Sequence, residues 1–282
     1  AMAPWKILQG TIDRVCSPAE VSSFVSQVPS AHLDMIDKVG HGFSVTSRWG
    51  AIFDRAVASL PSGAPEQERG PAASSSSSIA ALDLPLRVIP AEGNEKATLV
   101  FLSGDGGWAD LDQSVATALA KRGVTTIGWS SLRYFWESRK PDDVVAATER
   151  IAHTVSHGRP FVGGYSFGAD VVGHLGPRLE PFARGLLLIG TDKYATFEVS
   201  PLDWIRTSSV ASLYPVTSSL AKTRLPWLCL ESQSGLADCG CPERAAALQR
   251  RTVLPGGHHF EGDYDGLAKA AADWIDEVLK RP

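Results

Sequence analysis

The chain is poor in cysteine, with four in 282 residues, and it has no block of like charge and no bilayer-length apolar run. Cys16, Cys229, Cys239 and Cys241 are too few for a disulfide scaffold and show no second close pair at zinc spacing, so no metal is expected. Cys239 and Cys241 stand too close for an unstrained mutual bridge, which leaves either open to a distant partner. A net charge of -4 gives no electrostatic footprint for nucleic acid, and nucleic acid is excluded as an expected partner. The longest apolar runs, such as Gly185 to Gly190, are strand-length, so no transmembrane segment is predicted. The opening Ala1-Met2-Ala3 reads as a cloning remnant, and the lack of a leader there says little about where the native protein resides.

What is present is an ordinary globular composition, 44% hydrophobic and 21% charged, sufficient for one full α/β domain plus an additional piece. Residues 62–82 turn abruptly to Pro, Gly, Ala, Glu and a serine run from Ser74 to Ser78, which predicts a flexible linker. Downstream, strand and helix patterns alternate. Strands are expected at 84–89, 98–102, 124–129, 161–165, 185–189, 227–231 and 251–254, and helices at about 110–121, 142–155, 167–179 and 265–279. Such alternation predicts an α/β fold, a mainly parallel sheet with helices on both faces and its chemistry beyond the carboxyl ends of the strands.

Phe161 to Asp170 runs a buried strand straight into Gly164-Tyr165-Ser166-Phe167-Gly168 and then a helix. That is the nucleophile-elbow pattern of an α/β-hydrolase, in which a serine on a tight turn lifts its hydroxyl off the sheet. A serine nucleophile needs an imidazole to take its proton and a carboxylate to orient that imidazole. In this architecture the chain order is serine, acid, histidine, which makes Ser166, Asp238 and His258 the expected catalytic set. His259 is the alternative base, and Glu231 and Asp192 are the alternative acids; His174 reads as a packing residue on the helix after the elbow. The oxyanion donors are expected from the backbone of Phe167 and from the turn Ser103 to Trp108, at Asp105 or Gly106. Asp105, Gly106 and Trp108 are the expected substrate-binding residues, because a carboxylate beside an oxyanion hole calls for a cationic ligand. The glycine turn lacks both the spacing and the lysine of a P-loop, and no cofactor is expected. The connection from Thr191 to Arg224, with Tyr194, Phe197, Trp204, Ile205 and Tyr214, is long and apolar enough to predict a lid or lipid-facing cover.

Residues 1–61 repeat the order of elements in the tail. Pro4-Trp5, Gly10-Thr11-Ile12-Asp13 and Gly40-His41-Gly42-Phe43 match Pro226-Trp227, Gly235-Leu236-Ala237-Asp238 and Gly257-His258-His259-Phe260. The head is therefore expected to be the end of a first hydrolase-like repeat, with Asp13 and His41 packing as structure, and residues 83–282 the catalytic domain.

Three motifs, Leu102-Ser103-Gly104-Asp105-Gly106-Gly107-Trp108, Gly164 to Asp170 and Gly256-Gly257-His258-His259-Phe260, resemble those of the bacterial virulence-protein VirJ/AcvB family. The resemblance covers about residues 84 to 280 and implies a periplasmic α/β-hydrolase. It further implies cleavage of the aminoacyl ester of lysyl-phosphatidylglycerol at the membrane surface, and tandem VirJ-like halves as in AcvB-type members. It also raises a non-enzymatic alternative, a periplasmic adaptor that binds secretion-system proteins or their cargo.

Overall fold

The computed structural model describes residues 5–13, 16–40, 46–59, 79, 81–155, 158–199, 214–243 and 248–281. It divides into a smaller unit, Ala1–Gly70 with Ser200–Ser208, and a larger one, Pro71–Val199 with Ser209–Pro282. In the smaller unit, β1 (Trp5–Gly10) pairs in parallel with β2 (Ala31–Ile36), in register from Trp5 opposite Ala31 to Gly10 opposite Ile36. Helix α1 (Pro18–Val25) joins the two strands and α2 (Thr46–Ala58) follows them. Asp13 is buried, where its carboxylate accepts the Cys16 N–H at 2.9 Å and the Gln9 amide at 3.3 Å, so it serves as a turn anchor. His41 lies outside the described residues, as does the predicted linker except for residues 79, 81 and 82.

The larger unit is built on a seven-stranded sheet. Its strands are β3 (Leu86–Ile89), β4 (Ala97–Leu102), β5 (Val124–Trp129), β6 (Phe161–Tyr165) and β7 (Gly185–Ile189). After a two-residue ribbon of β8 (Tyr194–Ala195) and β9 (Tyr214–Pro215) come β10 (Trp227–Ser232) and β11 (Gln249–Leu254). The spatial order is β11-β10-β7-β6-β4-β5-β3, with every pair parallel except the edge strand β3, which runs antiparallel to β5.

The period-2 alternation of the strands explains how one sheet supports two cores. Val100, Leu102, Ile127 and Val162 share a cluster with α5 (Pro141–Ala152) and α6 (Phe167–Leu179), through residues such as Ile151, Val172 and Leu175. Leu99, Phe101, Leu187, Leu228 and Leu230 belong to the other cluster, with α3 (Asp110–Ala120) and α8 (Tyr264–Leu279), through Leu119, Leu267 and Ile275. Each fully buried aliphatic or phenyl side chain here contributes roughly 1.5–3 kcal/mol of transfer free energy, so the strand ends sit on a rigid platform.

The short helices α4 (Ser131–Tyr134) and α7 (Thr217–Leu220) close the connections after β5 and β9. In the described part of the long connection Tyr194 is exposed, but most of the apolar side chains turn inward. Phe197, Val199, Val216 and Leu220 are buried in the core beside α6, and Phe197 contacts Phe135 and Tyr214 edge-on. Trp204 and Ile205 lie outside the described residues.

The chain leaves β4 toward β5 on one side, and the next strand, β6, pairs with β4 on the other. The crevice beyond the carboxyl ends of β4 and β6 is therefore the topological switch point, where open α/β sheets bind ligands.

Candidate active site

Ser166 occupies the turn between β6 and α6 with φ 51° and ψ -121°, a left-handed conformation that costs a non-glycine residue about 1–3 kcal/mol. The flanking glycines make that turn sterically feasible. A Cβ on Gly168 would strike the Leu102 carbonyl, and one on Gly164 would strike the backbone of Gly168. The Ser166 N–H is tied to the Ile189 carbonyl at 2.8 Å, so the serine is held in place while its hydroxyl stands at the cleft.

His258, on the loop between β11 and α8, places Nε2 at 3.0 Å from Ser166 Oγ. Tyr165 sets this geometry. Its hydroxyl donates to the His258 carbonyl at 3.2 Å, lies 3.2 Å from His259 Nδ1, and its ring packs 5.1 Å from the His258 ring. His259 thus binds the tyrosine while His258 meets the serine, a division the sequence leaves open. The other edge of His258 faces the turn after β7. A Cβ on Gly190 would lie 3.4 Å from His258 Nδ1 and 3.2 Å from Cε1.

Gly190 has φ 63°, and the turn it begins carries Asp192. Two buried carboxylates lock this turn: Asp170 accepts the Asp192 N–H at 2.7 Å and Glu231 accepts the Thr191 N–H at 3.1 Å. The carboxyls of Asp170, Glu231 and Asp192 are all pushed above the ordinary range, first by burial. The Asp192 charge is the strongest single charge acting on His258, whereas burial pulls the imidazole below its ordinary 6.5. The two influences oppose one another, and burial prevails.

Asp238 is placed differently. Its carboxylate is 81% exposed and faces Lys193 at 3.8 Å, whereas Asp192 is the leading charge acting on His258. Glu231 is occupied in holding the Thr191 and Ser232 amides. His174 packs against Phe197 and Tyr214, with Nδ1 3.0 Å from the Pro215 carbonyl.

The turn after β4 forms the opposite wall. Asp105 and Gly106 line a cleft of about 480 Å³ together with Ser166, His258, His259, Asp112 and Tyr264. The Gly106 N–H donates to the Asp105 carboxylate at 2.9 Å, which removes it from the pair of expected oxyanion donors. Trp108 is not at the cleft. Its indole occupies the space that a side chain on Gly128 would need, meets Phe101 edge-on at 6.4 Å and donates to Gln113 at 2.9 Å. It braces the glycine turn from behind.

Asp112, in the first turn of α3, is buried to 1% exposure, and burial pushes its carboxyl up to about 6. For an acid with a raised folded value, ionisation opposes folding. The cost is absent below about 3.8, grows as pH rises toward 6 and is complete above it, at about 3 kcal/mol.

Cys229 and Cys241 form a disulfide that clips β10 to the loop after it, and Cys239 is a buried free thiol beside them. The backbone of Cys239 lies antiparallel to that of Asp192, and the Gly240 N–H donates to the Thr191 carbonyl at 2.9 Å, so the clipped loop backs the turn that faces His258.

Gly190→Ala tests that contact. The methyl meets the imidazole and strains a left-handed backbone, so stability is expected to fall by about 1 kcal/mol and kcat by about a hundredfold. Thermal melting and ester kinetics measure the two. A variant with wild-type kcat would detach the turn from the histidine.

Residues 96–279, more than half of the chain, match the profile of the family described as bacterial virulence protein (VirJ). No curated protein sequence matches the chain. Similar solved structures include the esterase domain from a Rhodothermus marinus protein, with 13% identity and a TM-score of 0.52 over 69% of this chain and 92% of that one. MenH from S. aureus matches at 13% identity and 0.52, over 69% and 99%. A proline iminopeptidase from Mycobacterium smegmatis matches at 13% and 0.51, over 69% and 94%. At these identities the likeness carries the fold, and the fold is that of the α/β-hydrolases.

Proposed function

The chain belongs to the VirJ family of bacterial virulence proteins, and from that premise we propose that it is a serine hydrolase that cleaves the aminoacyl ester of lysyl-phosphatidylglycerol in the periplasm. The observation that carries the hydrolase reading is the 3.0 Å approach of His258 Nε2 to Ser166 Oγ on a strained elbow. In this reading His258 takes the serine proton as Oγ attacks the ester carbonyl, and Asp192 holds the imidazole and offsets the charge it acquires. The amides of Phe167 and Asp105 receive the oxyanion, the helix α6 N-terminus favouring negative charge at that point. His258 then returns the proton to the departing glycerol oxygen. Water, activated by the same imidazole, releases the amino acid and restores Ser166.

The lysyl ester is supported by the acidic lining of the cleft, which suits a cationic acyl group, and by the family resemblance. The Cys229–Cys241 disulfide favours an oxidising compartment such as the periplasm. Among the described residues no helix is long and apolar enough to cross a membrane, so contact with the lipid would be made from the surface. The smaller unit fits the end of a first VirJ-like repeat: β1 and β2 pair in parallel and lead into a long helix, as do β10 and β11.

The test is release of lysine from lysyl-phosphatidylglycerol in phosphatidylglycerol vesicles by wild type and Ser166→Ala, with a short-chain chromogenic ester run in parallel. Equal inertness of both proteins on both substrates would transfer the assignment to a periplasmic adaptor of secretion components.

The pH profile gives a second check. A base must be neutral to accept the serine proton, and burial holds His258 below 6.5. The acid limb of kcat/KM is therefore expected at an apparent pKa below that value, with activity lost as pH falls through it. Asp192→Asn is expected to shift the limb further down, because the charge it removes favours the imidazolium. A limb above 6.5 in wild type would contradict the burial of the base.

A further inference from the structure

The cleft contains a carboxylate that the chemistry of Ser166 does not use. Asp112 Oδ2 accepts the Ala109 N–H at 3.0 Å, but Oδ1 is buried without a hydrogen-bond partner. A buried acceptor left unpaired is costly, and more so when charged. Asp112 nevertheless lines the same cleft as Ser166, and Asp105 and Asp110 line it too. Among the described lining residues there is no lysine or arginine. Tyr165 and Tyr264 line the cleft as well, and Arg87 is the cation that acts on Asp112, from a position stacked over the Trp108 ring at 5.3 Å. At neutral pH the Asp112 carboxyl is ionised in spite of its raised value of about 6.

A group that brings both a positive charge and N–H donors would satisfy the orphaned oxygen, whereas a neutral acyl chain would leave it unpaired. We propose that Asp112, with Asp105 beside it, is an ammonium subsite that selects esters whose acyl part carries a positive charge. The proposal rests on the hydrolase reading and adds to it the residue that discriminates between acyl groups.

Asp112→Asn is the informative variant. Its amide oxygen still accepts the Ala109 N–H, so the start of α3 is kept, while the charge is removed. Two p-nitrophenyl esters of matched length, 6-aminohexanoyl and heptanoyl, isolate the ammonium. Wild type is expected to prefer the cationic ester, and the variant to reduce the ratio of the two kcat/KM values by about tenfold or more. The variant is also expected to melt higher than wild type at pH 7, because it loses a buried charge, whereas a merely structural role would make it melt lower. An unchanged ratio, or an equal loss on both esters with a lower melting point, would overturn the subsite. If wild type cleaves neither ester, the hydrolase reading fails, and the subsite is then decided by calorimetric binding of lysinamide. Weaker binding to Asp112→Asn than to wild type would uphold it, and equal binding would remove it.

Discussion

Ser166→Ala is expected to lower kcat for ester hydrolysis by about ten-thousandfold to a millionfold while the protein remains folded. The size of the effect follows from geometry. The hydroxyl is aligned with the His258 ring at 3.0 Å, so its loss removes the nucleophile and leaves the histidine without a proton to take. The fold should survive because the elbow is stabilised by backbone contacts: Ser166 N–H to the Ile189 carbonyl, and the close approach of Gly168 to Leu102. Residual activity would come from the oxyanion donors and from binding alone. The measurement is lysine release from lysyl-phosphatidylglycerol vesicles, with circular dichroism to establish that the variant is folded. A folded variant that retains activity within tenfold of wild type would exclude Ser166 as the nucleophile.

The second large effect separates Asp238, the acid expected from the chain order, from Asp192, its alternative. Asp192→Asn is expected to lower kcat about a thousandfold or more, because an amide no longer fixes the imidazole tautomer or offsets its charge. Asp238→Asn is expected to change kcat by less than about threefold, as fits an exposed carboxylate facing Lys193. The difference lies in which loop faces the histidine. The Nδ1 edge of His258 looks onto Gly190, two residues from Asp192, and the Asp192 turn is clamped by Asp170 and Glu231. Steady-state kinetics of both variants on one ester distinguishes the assignments. A large loss in Asp238→Asn with Asp192→Asn near wild type would return the acid to the loop after β10.

These two acids also mark how far the sequence reaches. The elbow is legible because all its requirements are local: a strand, two glycines with no room for a Cβ, a serine and a helix in one continuous stretch. The strands and helices around it are legible for the same reason, since a sheet buried on both faces writes continuous apolar runs such as Leu186 to Ile189. The choice between His258 and His259 is not local, because it is made by the Tyr165 hydroxyl, which arrives from β6 to hold the loop carbonyl. The acid depends on which of two strand-end turns bends toward the imidazole. For the proposed acid, Asp192, the signal in the sequence is the glycine directly after β7, whose positive φ allows the turn that carries it.

Trp108 shows the converse. Its place in the glycine motif points to the cleft, but the vacancy opposite it is created by Gly128, in the next strand. Asp112 is indistinguishable in sequence from Asp110 on the same helical turn, and only burial separates the exposed residue from the enclosed one. In the described part of the long connection, Phe197, Val199, Val216 and Leu220 are core residues of α6's flank. Phe197 and Val216 pack inward because the helix leaves them a groove, which composition alone does not reveal.

The most direct test of the nucleophile–base pair is covalent trapping. Wild type is incubated with a fluorophosphonate at neutral pH, and the modified peptide is identified by mass spectrometry. One adduct on Ser166 is predicted, with labelling slowed strongly in His258→Ala and unaltered within a few fold in His259→Ala. Absence of label on Ser166, or label that depends on His259 and not on His258, would contradict the account.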